Sequence, residues 1–121
     1  MRQKVHSVSY LAKAEFEFKD GVYDLVALPT GAEVVKVSLE VLGSPTAGDI
    51  SVGFKDETNK NYFLTLENIT STNNKNATSA KDYTATSNKV VVAEVKNANG
   101  NEVKGVLRVL YFLPSVIEVE Y

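Results

Sequence analysis

The sequence predicts an all-β chain: a single-domain, two-sheet β-sandwich, jelly-roll-like, with about eight strands. Three observations predict it. Apolar residues recur at every second position over most of the chain, the period of a strand with one buried face. Turn-forming residues interrupt these runs at spacings of roughly 8–14 residues, apart from one longer interval. No stretch carries apolar residues at the three-and-four spacing by which a helix buries one side.

The elements follow in order. Val8, Tyr10, Ala12, Ala14, Phe16 and Phe18 alternate with Ser9, Leu11, Lys13, Glu15 and Glu17, which gives a first long strand. Asp20-Gly21 turns the chain into Val22–Leu28, and Pro29-Thr30-Gly31 makes a tight corner after it. Val35, Val37, Leu39 and Val41 form one face of the next strand, and Gly43–Asp49 is a loop by composition. Ile50, Val52 and Phe54 pair as a hairpin with Tyr62, Leu64 and Leu66 across the polar turn Asp56–Asn61. Thr70–Asn88 is a polar stretch whose only large side chain is Tyr83, and it is expected as a long loop, functional or mobile. Val90–Val95 returns to strand, Asn97–Asn101 supplies an Asn-Gly hairpin signal, and Val103–Leu113 is a long strand broken by Pro114. Val116–Tyr121 closes the chain as a last strand. Neither an internal repeat nor a second domain is legible, so 1–121 is expected as one sandwich domain, with 1–9 as a possible N-terminal arm.

Composition narrows the chemistry. The 121 residues include no Cys and no Trp, one His, and a formal net charge of −2. Without Cys there is no disulfide scaffold, thiol nucleophile or thiolate-bound metal. The charge offers no footprint for nucleic acid. No apolar run approaches the roughly 20 residues of a membrane-spanning helix, and the N-terminus lacks an apolar signal segment. The chain is therefore expected to be soluble, made in a cytoplasm, with neither membrane nor nucleic acid as partner.

Candidate chemical groups are scattered. Glu15, Glu17, Glu40, Glu118 and Glu120 fall on polar strand registers, where alternation alone explains them. His6 stands near the terminus without a Gly-x-Ser-x-Gly elbow to serve. Asp56–Asn61 clusters oxygen ligands but departs from the EF-hand loop, and Asp and Asn favour turns for local reasons. Gly43, Gly48 and Gly53 lack the Lys-Ser/Thr ending of a phosphate loop. No catalytic residue, cofactor or metal ligand is expected.

Two runs are apolar on both faces: Val90-Val91-Val92-Ala93 and Val106–Leu113. In a sandwich only one face of each sheet is interior, so the surplus points to cover by another chain or by the Thr70–Asn88 loop.

The segment Ala27-Leu28-Pro29-Thr30-Gly31-Ala32-Glu33-Val34-Val35-Lys36-Val37-Ser38-Leu39-Glu40-Val41 resembles a pattern of small tailed-phage virion proteins. In these a Leu-Pro-x-Gly-Ala corner leads into a Val-rich strand. The overall plan is similar to the compact β-sandwich decoration, or cement, proteins that sit on capsid surfaces as trimers. The resemblance covers about a quarter of the chain, and Pro-x-Gly before a Val-rich strand also follows from turn chemistry; with no catalytic residue to carry over, it transfers a structural role only.

It implies a non-enzymatic protein on the capsid surface, made in the host cytoplasm. Its partners would be itself, as a homotrimer, and the major capsid protein. Val90, Val92, Leu107, Val109 and Tyr111 are then the expected self-contact, and Lys4, His6 and Tyr83, on the arm and the long loop, the expected grips on a neighbour. The alternative is a carbohydrate- or receptor-binding module of a phage tail or fibre, which requires Tyr23, Tyr62 or Tyr83 to converge on an exposed patch.

Overall fold

Among the described residues the alternating segments assemble into antiparallel strands, joined by turns and without a helix. The computed structural model describes residues 2–6, 8–113 and 116–120, with the backbone alone for 2–4 and 116–120. In chain order the strands are β1 (Arg2–His6), β2 (Ser9–Glu17), β3 (Gly21–Leu28), β4 (Glu33–Phe54), β5 (Leu64–Leu66), β6 (Asn76–Ser79), β7 (Tyr83–Thr84), β8 (Lys89–Phe112) and β9 (Val116–Glu120). The all-β class read from the period of two is thus the observed one. Met1, Ser7, Pro114, Ser115 and Tyr121, which the sequence placed at the arm and the last strand, lie outside the described residues.

Two expectations about connection fail together. The Gly43–Asp49 loop and the Asn97–Asn101 hairpin turn do not exist, because β4 and β8 run straight through them as strands of 22 and 24 residues. The irregular stretches face each other, with Ser44 opposite Asn101, Pro45 opposite Gly100 and Ala47 opposite Asn99. Each supplies the backbone partners the other needs, so neither has to turn back on itself. The register shifts there instead, three times between Leu42 and Asp49, and bulges of this kind sharpen bend and twist. Gly48 adopts φ +144°, a conformation closed to L side chains, while Asn97 and Glu102 take φ 55° on the facing strand.

The bend divides both long strands into halves. In the first half the order is β2, β8 (104–112), β4 (33–42), then β6 and β7. In the second it is β3, β8 (89–96), β4 (49–54), β5. The halves share one apolar core: Val37, Leu39 and Leu107 from the first join Ile50, Val52, Val91 and Val95 from the second. Ring contacts cross between them, Phe16 to Tyr23 at 5.7 Å and Phe54 to Tyr83 at 4.5 Å between centroids. This arrangement is compatible with the sandwich and jelly roll that the sequence predicts.

Thr70–Asn88 is no free loop. Its residues Asn76–Ser79 and Tyr83–Thr84 pair with Glu40–Val37 and with Val34–Glu33 as short edge strands. Side-chain bonds fix the rest, Asn88 Oδ1 accepting from Thr30 N–H at 3.0 Å and Thr84 Oγ1 donating to Glu33 at 2.6 Å. Of the expected arm, Arg2–His6 is paired. β1 pairs with β9 along its whole length, from Arg2 opposite Glu120 to His6 opposite Val116, as a separate two-stranded ribbon.

Candidate functional site

The β8 register decides which apolar residues have any surface to offer. Leu107 and Val109 point into the core with no exposure. They are spent inside the chain, so the expectation that they form a self-contact is corrected. Val92 is on the outward register but is equally buried. It stands between Asp24 and Gly53. Lys55 reaches across to Asp24 at 2.7 Å, and the chain at Lys60–Tyr62 passes over Gly53 so closely that a Cβ there would lie 2.6–2.8 Å from its backbone. Its surface is therefore covered from within. Val90 and Tyr111 keep part of theirs, Tyr111 leaning on the core and on Tyr10 with centroids 6.0 Å apart.

The missed residues are their neighbours. Val106, Arg108, Leu110 and Phe112 form the outward register of β8, and the sequence held the signal: Arg108 marks that parity as solvent-facing. Val106 is nonetheless shielded (1% exposed). Glu15 and Glu40 flank it and are bridged to Lys104 at 3.2 Å and to Arg108 at 3.3 Å. Further along, Leu11 is 62% exposed beside half-buried Leu110, in a shallow hollow completed by Lys36, Ser38 and Arg108.

The residues expected to grip a neighbour are dispersed. Lys4 lies in β1 opposite Glu118, and its side chain is outside the described residues. His6 Nδ1 donates to the Leu113 carbonyl at 3.1 Å, joining the ribbon to the end of β8. Tyr83 is half-buried, its ring against Phe54.

Tyr62 and Tyr83 do converge, edge to face at 5.4 Å, but Tyr23 packs elsewhere, against Phe16. The Lys81 ammonium lies 3.8 Å over the Tyr62 ring centroid and occupies the face a sugar would need. These rings close the edge of the core rather than offer a platform.

Two hollows remain. One, of 360 Å³, is polar and lined by Asp49, Ser51, Lys60, Glu67, Glu94 and Lys96. The other, of 720 Å³, opens between β2 and β3 over Phe16, Tyr23 and Leu25. Its rim carboxylates are engaged within the chain, Glu15 by Lys104, Glu17 by Lys19 and Asp24 by Lys55. Among the described residues no three His, Asp or Glu side chains are placed to hold a metal ion.

One ion pair binds the fold together at its edge. Lys89, at the start of β8, lies 2.6 Å from Asp56 in the turn after β4. That hydrogen bond, chiefly, holds the Asp56 carboxyl below the usual carboxylate range and lifts the Lys89 ammonium above the usual lysine range.

Among the described residues, fold and surface together define an all-β scaffold with no cluster of metal-ligating side chains. Comparison with known proteins identifies the setting. No protein-family model and no curated protein matches the chain. A chain in the acidic stable capsid structure of Helicobacter pylori bacteriophage KHP30 is 75% identical, with a TM-score of 0.91 and full coverage of both chains. The protein belongs to the family of that capsid chain and is a structural component of a phage virion. A chain of the cyanophage Pam1 capsid asymmetric unit is 21% identical over 88% of this chain and 85% of its own, with a TM-score of 0.62, and shares the fold.

Proposed function

We propose that the protein is a capsid decoration, or cement, protein: non-enzymatic, seated on the capsid surface, and stabilising the shell by binding the major capsid protein. The observation that carries this reading is the full-length, 75% identical match to a chain of a phage capsid structure. The physics supports it. A rigid core without a buried charge among the described residues suits a part that must hold its shape, and many weak, repeated contacts add through multivalency on a symmetric shell.

Self-association as a homotrimer belongs to the same proposal. Of the five residues assigned to it from the sequence, Val90 and Tyr111 alone retain surface. A stable contact of about 1,000 Å² has to draw on exposed residues beyond these two.

The test is removal and return. Particles lacking the protein should lose heat or acid resistance and regain it when purified protein is added back at regular surface positions. Light scattering should give three times the chain mass. Particles equally stable without the protein would refute the cement role, and a monomer at micromolar concentration would refute the trimer.

A further inference from the structure

Exposed apolar side chains are concentrated early in the chain, from β1 to the start of β2. Six large hydrophobic residues are exposed among the described residues, and four of them, Val5, Val8, Tyr10 and Leu11, fall within seven positions. β2 pairs with β8 on one side and with no described strand on the other. The ladder fixes which groups face the open side. Leu113 N–H donates to the Val8 carbonyl, and Phe18 N–H to the Val103 carbonyl. In an antiparallel ladder bonded pairs recur every second residue, so the even-numbered residues of β2 bond to β8. Ser9, Leu11, Lys13 and Glu15 direct their N–H and C=O groups outward.

A free edge flanked by apolar side chains is a template for another strand. Its two ends differ. Glu15 and Glu17 are each held by a lysine of the same chain. At the other end Leu11 and Leu110 are ringed by Lys13, Lys36 and Arg108, and among the described residues neither Lys13 nor Lys36 has an ion-pair partner. This is a cationic, apolar corner on a chain whose formal charge is −2.

We propose that the Ser9–Lys13 edge of β2 receives an extended segment of a neighbouring capsid chain, adding a strand to the sheet. The segment alternates apolar with acidic residues: the apolar ones cover Leu11 and Leu110, and the carboxylates meet Lys13 and Lys36. This rests on the capsid-binding reading and names the surface that carries it.

The test is incorporation into particles, with the wild-type protein as reference. Lys13→Pro removes one outward donor and no ladder bond to β8, which edge strands tolerate. Lys13→Glu/Lys36→Glu reverses the charge and leaves the backbone intact. Circular dichroism and a urea midpoint near wild type establish that each variant is folded. Both should incorporate at least tenfold less than wild type, and added salt should weaken wild-type binding.

If wild type and both variants incorporate equally, the inference is overturned while the capsid reading stands. If the charge variant is lost and a folded Lys13→Pro is retained, strand addition is overturned. Wild-type protein that never binds the shell overturns both readings.

Discussion

Phe16 and Gly105 make the packing of β2 on β8 testable. They are directly opposed in the β2–β8 ladder. A Cβ placed on Gly105 would lie 2.5 Å from Phe16 Cε1 and 2.6 Å from Cε2, with Cζ closer still. The outer end of the ring fills the space a side chain at Gly105 would take; the residue is 6% exposed and touches Tyr23 in the facing half. Aromatic cover of a strand glycine is a recognised device for pinning strand register. Gly105→Ala must displace the ring, and overpacking of this kind costs about 1–3 kcal/mol. Phe16→Ala removes the ring and leaves a cavity, at about 3–5 kcal/mol.

In the double variant the new methyl enters vacated space, and alanine gains about 0.5–1 kcal/mol over glycine in a strand. The double variant should then unfold at a cost near that of Phe16→Ala alone, giving a coupling of about 1–3 kcal/mol between the sites, the cost of Gly105→Ala by itself. Urea denaturation of the four proteins, with the m-value held as a check on two-state behaviour, measures it. Additivity within about 0.5 kcal/mol would refute the claim that ring and glycine share one space.

Three further outcomes are expected. Leu107→Ala should cost about 2–5 kcal/mol, whereas Leu110→Ala should stay within about 1 kcal/mol; equal costs in urea melts would refute the assigned register. Gly48→Ala should destabilise through both its φ of +144° and the Phe18 ring against it, by about 1–3 kcal/mol, and an unchanged thermal midpoint would count against the bend as described.

The third outcome concerns pH. Because the folded-state pKa of Asp56 is lowered and that of Lys89 is raised, their pair contributes at neutral pH. It is lost as pH falls below about 4 and as it rises beyond about 10. Asp56→Asn should therefore lower the urea midpoint between about pH 5 and 9, and the gap to wild type should close at both extremes. A gap that widens in acid would show the sign to be wrong.

Much of this was legible in the residues. The strand at Val8–Phe18, the corner at Pro29-Thr30-Gly31 and the Ile50–Leu66 hairpin all rest on short-range rules, alternation and turn chemistry. The corner closes as read, Ala32 N–H donating to the Pro29 carbonyl at 3.1 Å with Gly31 at φ 89°. The outward face of β8 was within reach too. Arg108 and Glu94 mark which parity of β8 meets water, and that clue outweighs the bulk of Leu107 and Val109, which any core strand carries.

The sequence by itself determined the strand character of the chain, the apolar face of most strands and the poverty of catalytic groups. What the tertiary structure decided was connection. Gly43–Asp49 and Asn97–Asn101 carry residues that suit a turn and a bulge equally, because both require the same positive φ angles. Only the long-range pairing of Ser44 with Asn101 and of Pro45 with Gly100 selects the bulge. Partners more than fifty residues apart satisfy each other's backbone, and no local pattern records that choice.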